Sequence, residues 1–318
     1  MKKILLVVSI TGFMFAEGKI GGVTYFDYSS TEKASGFNFQ RQYFGYGGDV
    51  SDQVSYKILF DVGRTNVGAA VIEKDTSYKS EDTRLVVFLK KAQINYKSSF
   101  GRFNFGLIGM NTYAVQESNW GYRFIEKSAI DKNGFSATAD IGVGFSRSLI
   151  DNLNLSLLFV NGEGFKKPQG DKYHKIAFNA TYGESNLIKN DGYNAGLVYT
   201  TEQTDTDPIT MTSIFGGFAG MGIRIGGEYD MKTIGGVNSN IVSVSTNYTV
   251  RDNIDVFVRY DIYDGDTSID NDGENYLVTG IVLTCDGGIS VAPNVRMITN
   301  EDDSESSTEY KVNFQFKF

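Results

Sequence analysis

The chain has 318 residues, among them 36 glycines, 3 prolines and a single cysteine. This composition excludes a collagen-like, low-complexity or disulfide-stabilised protein, and any conventional catalytic triad would have to use the single histidine. The 30 basic and 38 acidic side chains give a net charge of −8 at neutral pH, which argues against a nucleic-acid-binding protein because phosphates require a basic face.

Residues 1–16 have the pattern of a secretory signal peptide. Two lysines precede an apolar run from Ile4 to Phe15 that is too short to span a bilayer, and Ala16 is a small residue at its end. Met14 stands where a smaller residue is usual before a cleavage site, and a retained membrane anchor is the alternative interpretation. We therefore expect an exported chain whose mature domain comprises residues 17–318.

Apolar and polar residues alternate along most of the remaining chain, and no segment has a convincing helical period. The alternating segments are about ten residues long, which is the length of a tilted strand that spans a membrane. In the last segment the apolar face comprises Tyr310, Val312, Phe314, Phe316 and Phe318, and the polar face comprises Lys311, Asn313, Gln315 and Lys317. The same split recurs over residues 135–145, 153–159, 242–248 and 254–261, although Phe257 lies on the polar side of its segment.

Charged residues recur in the middle of these segments, where they require a hydrated or paired environment. Short turns near residues 51–53, 98–101, 150–152, 251–253 and 286–288 alternate with longer polar connections at 65–82, 113–132, 162–171, 201–209, 265–275 and 300–308. A β-sandwich gives no reason for all long connections to lie at one end, whereas an outer-membrane barrel combines short periplasmic turns with long extracellular loops.

The sequence therefore predicts an all-β fold, a transmembrane antiparallel β-barrel of about 16 strands that runs from Lys19 to Phe318. This count requires that residues 210–232 form two strands, divided at Gly220-Met221-Gly222. A barrel of about 14 strands is the alternative.

Three stretches of the barrel, Gly36–Tyr46, Val54–Asp61 and Val291–Met297, together with the terminal Phe318, resemble porins of the phosphate- and pyrophosphate-selective family. The resemblance spans the barrel from the first hairpin to the last. It implies a 16-stranded channel that is often trimeric, and a terminal aromatic residue that is presented to the barrel-assembly machinery. It does not assign phosphate as the solute, because the basic series that gives that family its selectivity has no residue-by-residue match here.

These patterns predict a porin in the outer membrane of a Gram-negative bacterium, through which small hydrophilic solutes and ions diffuse passively, with anions such as phosphate among the candidates. The expected partners are outer-membrane lipid and lipopolysaccharide, the barrel-assembly machinery through Phe318, and two further copies in a homotrimer; no cofactor, metal or nucleic acid is expected. A non-conducting structural or adhesion barrel is the alternative. An outer-membrane hydrolase is disfavoured, because no G-x-S-x-G motif is present and His174 shares the outward parity of Ile176 and Phe178.

The polar parity of each strand predicts which charged residues line the pore. They are Lys57, Asp61, Lys91, Asp140, Lys175, Arg224, Glu228, Asp255, Arg259, Asp261, Arg296, Lys311 and Lys317. With Asp27 and Asp230 the wall carries eight basic and seven acidic side chains, so we expect weak discrimination by net charge. The two sets either form opposed ladders that create a transverse field or neutralise one another in pairs. Arg41 is omitted because it shares parity with Phe37 and Phe39, a conflict that requires a β-bulge or an inverted face.

Residues 113–132 mix aromatic and basic side chains around the only tryptophan of the chain. We expect this connection to fold into the lumen as a constriction, and its candidate residues are Trp120, Tyr122, Arg123, Glu126 and Lys127. Arg123 and Lys127 would then face anions and Glu126 would face cations. The alternatives are an aromatic anchor at the membrane interface and a packing contact between protomers.

Three of the long connections, at residues 202–207, 264–274 and 301–309, are acidic. Carboxylates of this kind can share calcium or magnesium with lipopolysaccharide. Residues 268–273 partly match the start of an EF-hand, but Thr279 stands where the bidentate glutamate is needed. Solvated loops are the favoured interpretation.

Overall fold

The computed structural model describes residues 18–64, 67–73, 76–82, 84–302 and 306–318, and for 67–73 and 76–82 it describes the backbone only. The predicted signal peptide therefore lies outside the described residues. Within the described part of the chain, no helix is both long enough and apolar enough to cross a membrane.

Over the described residues the chain forms eighteen strands and two short α-helices. The strands are β1 (Lys19–Ser30), β2 (Ser35–Asp49), β3 (Val54–Arg64), β4 (Val67–Glu73), β5 (Thr76–Asp82), β6 (Leu85–Lys97), β7 (Arg102–Gly109), β8 (Ala139–Ile150), β9 (Leu153–Val160), β10 (Lys175–Gly183), β11 (Gly192–Glu202), β12 (Ile209–Gly220), β13 (Ile223–Ile234), β14 (Val237–Arg251), β15 (Ile254–Asp264), β16 (Glu274–Thr284), β17 (Ile289–Asn300) and β18 (Ser307–Lys317). The helices are α1 (Ala114–Trp120) and α2 (Ala129–Lys132).

Sixteen of the described strands form one closed antiparallel barrel, and β4 and β5 form a separate hairpin between β3 and β6. The predicted barrel and the predicted count of 16 are thereby confirmed. The barrel closes where β18 pairs with β1, and the Phe318 amide donates to the Gly22 carbonyl at 3.1 Å while the Gly22 amide donates back at 3.0 Å. Over the described residues each of the sixteen barrel strands pairs with a neighbour on both sides, so the sheet has no terminal strand.

The outer face of the barrel is apolar and exposed, as expected for a surface that meets lipid. On β15, for example, Val256, Val258 and Tyr260 are 37–43% exposed, whereas the alternating Phe257 and Arg259 are 3% and 1% exposed. Because side chains of a strand alternate between its two faces, the polar set of each strand lies on the inside.

The division of residues 210–232 lies where the sequence predicted it. Met221 and Gly222 connect β12 to β13 with φ angles of 56° and 77°, so the chain reverses over two residues. Positive φ favours glycine, and a two-residue reversal of this kind is typical of β-hairpins.

Two features of the fold differ from the sequence-based expectation. The absence of helices was a wrong prediction, because α1 and α2 lie in the connection between β7 and β8. The strand predicted to begin at Phe135 begins instead at Ala139, and the Phe135 side chain is buried in an apolar cluster with Tyr113 and Ile130. Both differences arise because a connection that folds back onto the barrel replaces an alternating surface pattern with tertiary contacts.

Two β-bulges interrupt the register of neighbouring strands. The pairing of β1 with β2 shifts between Tyr25 and Phe26, opposite Gln40 and Arg41. The pairing of β3 with β6 shifts between Leu59 and Phe60, opposite Lys90. A bulge inserts one residue into a strand, so that consecutive side chains can both point inward. The parity conflict at Arg41 is therefore resolved by a bulge and not by an inverted face.

Candidate pore and inner loop

The connection between β7 and β8, residues 110–138, lies inside the barrel, and we call it the inner loop. The Asn119 amide donates to the Asn194 side chain on β11 at 2.9 Å, and the Tyr122 hydroxyl donates to Asp255 on β15 at 2.8 Å. On β18 the Asn313 amide donates to the Phe124 carbonyl at 3.1 Å. A segment that contacts the inward faces of strands so far apart around the barrel can only lie within it.

Trp120 anchors the first half of the inner loop. Its ring is 3% exposed and meets the ring of Phe257 edge-on at a centroid distance of 5.8 Å and that of Tyr122 at 5.5 Å. Such ring pairs contribute about 0.5–1.5 kcal/mol each beyond the buried area. The indole N–H donates to the Glu126 carbonyl at 2.9 Å. Phe257 is therefore an apolar exception on the polar face of β15 because the inner loop covers it.

The wall beneath α1 consists of small residues. A Cβ atom at Gly217 on β12 would lie 2.6 Å from the Asn119 side chain, and one at Gly226 on β13 would lie 2.8 Å from Asn119 Cβ. Contacts this short are not tolerated, so the helix can approach the wall only where the side chain is absent. The Asn119 and Asn194 amides exchange two hydrogen bonds of 2.9 Å in the space left free.

The second half of the inner loop is held by an ionic cluster around Glu126. Arg296 on β17 pairs with the Glu126 carboxylate at 3.0 Å, and the Tyr276 hydroxyl on β16 donates to it at 2.9 Å. Burial raises the pKa of Glu126, but the guanidiniums of Arg296 and Arg259 outweigh burial and hold this pKa below the ordinary carboxyl value. Glu126 was predicted to face cations in the lumen, but its carboxylate is already paired with Arg296 and Tyr276 of the barrel wall.

Arg123 is neutralised within the inner loop itself. Its guanidinium lies 3.0 Å from Glu117 on α1 and 2.9 Å from Asp131 on α2. Burial raises the pKa of Glu117, and the positive charge of Arg123 only partly offsets this effect. Arg123 therefore joins the two helices as well as lining the lumen.

A charged layer lies between the inner loop and strands β13 to β15. Arg259 pairs with Asp261 through two hydrogen bonds of 2.8 and 2.6 Å, and its guanidinium lies 5.3 Å from the centre of the Trp120 ring. Asp230 and Glu228 lie in the same layer, and neither forms an ion pair among the described residues. These residues were predicted to line the pore, yet the inner loop separates Arg259 and Asp261 from open water.

A cavity of about 190 Å³ remains between the inner loop and the wall of β1, β2, β17 and β18. Its cationic lining residues are Arg41, Arg123, Lys127, Arg296 and Lys311, and its acidic ones are Asp27 and Glu126. Within the part of the chain that the structure describes, the Lys127 ammonium has no carboxylate partner. The cavity therefore has a cationic lining.

The bulge residues add cations that the strand parity does not predict. Arg41 lies 3.2 Å from Asp61 on β3, and Lys90 lies 3.6 Å from the same carboxylate. The Lys90 ammonium also donates to the Tyr43 hydroxyl at 2.9 Å. Lys90 was not among the predicted residues, and the signal that could have identified it is the polar doublet Lys90-Lys91, which breaks the alternation of β6 just as Gln40-Arg41 breaks that of β2.

The remaining residues that were predicted to line the pore differ in exposure and in their contacts. Lys57 and Lys317 are exposed, and Lys91 is half-buried. Lys175 pairs with Glu202 at 2.7 Å. Arg224 lies 5.2 Å from the centre of the Tyr122 ring.

Two further predicted residues are held by neighbouring chain segments. Asp140 is 2% exposed and accepts hydrogen bonds from the amides of Gly162 and Gly164, so it shapes the connection after β9. Lys311 lies 3.2 Å from Glu309 and 3.9 Å from Asp27.

Acidic and basic wall residues differ in their access to water. Among the predicted inward acids, the carboxylates that are at most 2% exposed are Asp27, Asp61, Asp140, Asp230 and Asp261. Among the eight predicted bases only Arg259 and Arg296 are buried. Among these fifteen predicted residues, the ones that remain accessible are therefore predominantly basic.

The single imidazole lies away from the lumen. The His174 ring stacks on Phe159, an outward residue of β9, at a centroid distance of 4.8 Å. Among the described residues no cluster of three or more histidine, cysteine, aspartate or glutamate side chains has the arrangement of a metal site.

No protein-family model and no curated protein matches the chain. Solved structures of outer-membrane proteins do match, over 95% of its length. OmpF of Salmonella typhi has a TM-score of 0.67 at 11% identity, with 97% of that chain covered. An anion-selective porin from Comamonas acidovorans has a TM-score of 0.64 at 11% identity, and the trimer form of OmpT from Vibrio cholerae has 0.63 at 12%, each with 99% of that chain covered. The chain therefore has the fold of the outer-membrane porins.

Proposed function

We propose that the chain is an outer-membrane porin that lets small hydrophilic solutes and ions diffuse passively, with a preference for small anions. The observation that carries the proposal is the cavity beside the inner loop, whose lining has five cationic side chains and two carboxylates. A wide barrel with an inserted loop supports passive passage, because about 16 strands enclose an aqueous bore. Inorganic phosphate is one candidate anion among several.

The preference for anions rests on which charged side chains are buried and which have no ion-pair partner. The inward carboxylates are mostly buried in contacts with neighbouring side chains or backbone amides, whereas Lys57, Lys91 and Lys127 have no ion-pair partner in the described part of the chain. Fixed charges along a pore set the energy of a passing ion, and an excess of accessible cations favours anions. The anion-selective porin from Comamonas acidovorans shares this fold, which is compatible with the proposal.

Planar bilayers with purified full-length protein test the proposal. We expect stepwise conductance and, across a potassium chloride gradient, a reversal potential of the sign given by chloride permeation. Lys127→Gln is expected to lower the anion-to-cation permeability ratio by up to about 30-fold, since a unit charge at 4 Å in water contributes about 1 kcal/mol, favourable for an anion and unfavourable for a cation. Lys189→Gln, in the exposed turn between β10 and β11, is the control.

A non-conducting structural or adhesion barrel is the second candidate. The inner loop favours it, because two apolar clusters of the loop are packed against the wall and occupy part of the bore. A bilayer that stays closed at all voltages would support this candidate and overturn the porin proposal. Enzymatic activity is not part of the proposal, since the only imidazole stacks on an outward phenylalanine.

The remaining proposals concern targeting and assembly. Residues 1–16 would direct export as a signal peptide, and Phe318 would be recognised by the barrel-assembly machinery. The mature barrel would then lie in the outer membrane of a Gram-negative bacterium, in contact with lipid and lipopolysaccharide. A homotrimer is compatible with the trimer form of the related fold of OmpT from Vibrio cholerae.

A further inference from the structure

Aromatic rings lie next to cations on the inward faces of β2 and β6. The Lys90 ammonium lies 4.7 Å from the centre of the Tyr43 ring, and the Arg41 guanidinium lies 5.5 Å from the same ring. Lys166, from the connection after β9, lies 5.4 Å from the centre of the Phe88 ring. These distances are those of cation–π contacts. A ring face attracts a cation without cancelling its charge.

Rings and charges also meet at the cavity beside the inner loop. The rings of Tyr25 on β1 and Phe124 on the inner loop both line it, with centroids 6.5 Å apart. Arg41 and Lys127 line the same space. Its volume of about 190 Å³ corresponds to about six water molecules at roughly 30 Å³ each, which is enough for one small organic solute.

Lys127 differs from the other cations of the cavity. Arg123 and Arg296 each contact a carboxylate at about 3 Å, and Arg41 lies 3.2 Å from Asp61. The Lys127 ammonium is half-buried and, over the described residues, has no carboxylate partner. A partly desolvated cation of this kind gains most from an incoming anion, and the adjacent rings offer an apolar surface to the rest of that solute.

We propose that this cavity binds aryl carboxylates, that is, solutes with one carboxylate attached to an aromatic ring. The carboxylate would pair with Lys127 and Arg41 while the ring packs against Tyr25 and Phe124. The inference rests on the proposed function in that it names the solute class of the same passage. An inorganic anion would meet the charges but leave the two rings without a partner.

The test compares two probes of equal charge, benzoate and cyclohexanecarboxylate, which differ in aromaticity. In planar bilayers with full-length protein, we expect benzoate to halve the chloride current at a concentration about two- to tenfold lower, the factor of one ring–ring contact. Tyr25→Leu should abolish this difference and Tyr25→Phe should retain it. Tyr28→Leu, on the outer face of the same strand, is the control.

Equal potency of the two probes, or an undiminished difference in both Tyr25→Leu and Phe124→Leu, would overturn the inference. Calorimetric titration of benzoate onto the folded protein in detergent measures the site without conduction. Failure of benzoate to bind there also overturns it. If benzoate binds but no chloride current is seen, the porin proposal fails while the site stands, so the two failures are distinguishable.

Discussion

Asp230 presents a buried carboxylate that lies opposite Ser213 on β12 and that has no ion-pair partner among the described residues. The neighbouring Arg259 is already paired with Asp261. We expect Asp230→Asn to raise the free energy of unfolding by about 1–3 kcal/mol, because the amide keeps the size and an acceptor oxygen of the side chain but removes a charge whose burial no ion pair offsets. Thermal unfolding in detergent at neutral pH measures the change, and Asp252→Asn in an exposed turn is the control. A lower unfolding temperature would show that the carboxylate has a stabilising partner.

Because of Glu126, the packing of the inner loop against the barrel wall should depend on pH in the acidic range. Its depressed pKa means that the carboxylate stabilises the folded state above its unfolded pKa, about 4.3, and that this contribution is lost as the pH falls through the folded value. Trp120 donates to the Glu126 carbonyl and is the only tryptophan, so its emission reports on the loop. We expect a red shift of the emission below about pH 4, and a smaller pH dependence in Glu126→Gln.

Glu117 acts in the opposite direction. Burial raises its pKa, so ionisation of this carboxyl lowers stability as the pH rises from the unfolded towards the folded value. In Glu117→Gln this loss of stability with rising pH should be absent. An unchanged emission profile in both variants would contradict the assignment of these two carboxyls to the seating of the loop.

Among the elements, α1 depends most directly on the wall beneath it. Gly226→Leu on β13 would push against Asn119, and overpacking of this kind costs typically 1–3 kcal/mol. We expect displacement of the inner loop, higher conductance and stronger acrylamide quenching of Trp120. Gly227→Leu is the matched control, because Gly227 lies on the outer face and a Cβ there would be 3.8 Å from the nearest atom. Equal quenching in both variants would contradict this packing.

The strands were predictable because a period of two determines both their existence and their inward face. The bulges at Arg41 and Lys90 were less so, since an inserted residue appears in the sequence only as a break in alternation. The helices of the inner loop were not predicted, because α1 and α2 are short and their stability comes from contacts such as that of Trp120 with Phe257, more than 100 residues away. Which charges stay accessible depends on the same long-range contacts.

For the molecule as a whole, the inner loop divides the barrel wall into two parts. Over β12 to β17 the inward residues form a packed interior with the loop, whereas Lys57 on β3 is exposed and Lys91 on β6 is half-buried, and neither has an ion-pair partner among the described residues. Ser245 on β14 is 5% exposed, and Ser245→Leu should cost about 1–3 kcal/mol by overpacking. Ser55→Leu, at a half-buried inward position of β3, loses the hydrogen bond that the Asn95 amide donates at 3.1 Å but has room for the larger side chain, so it should lower the unfolding temperature less than Ser245→Leu.

The inner loop lies against one side of the barrel, and this position affects which residues of the wall can change during evolution. Substitutions along one arc of the circumference are constrained as strictly as those in the core of a soluble enzyme, because each must keep the loop seated. Along the opposite arc a change alters mainly what the channel admits. New solute preferences should therefore arise on one side of the lumen while the other side preserves the architecture.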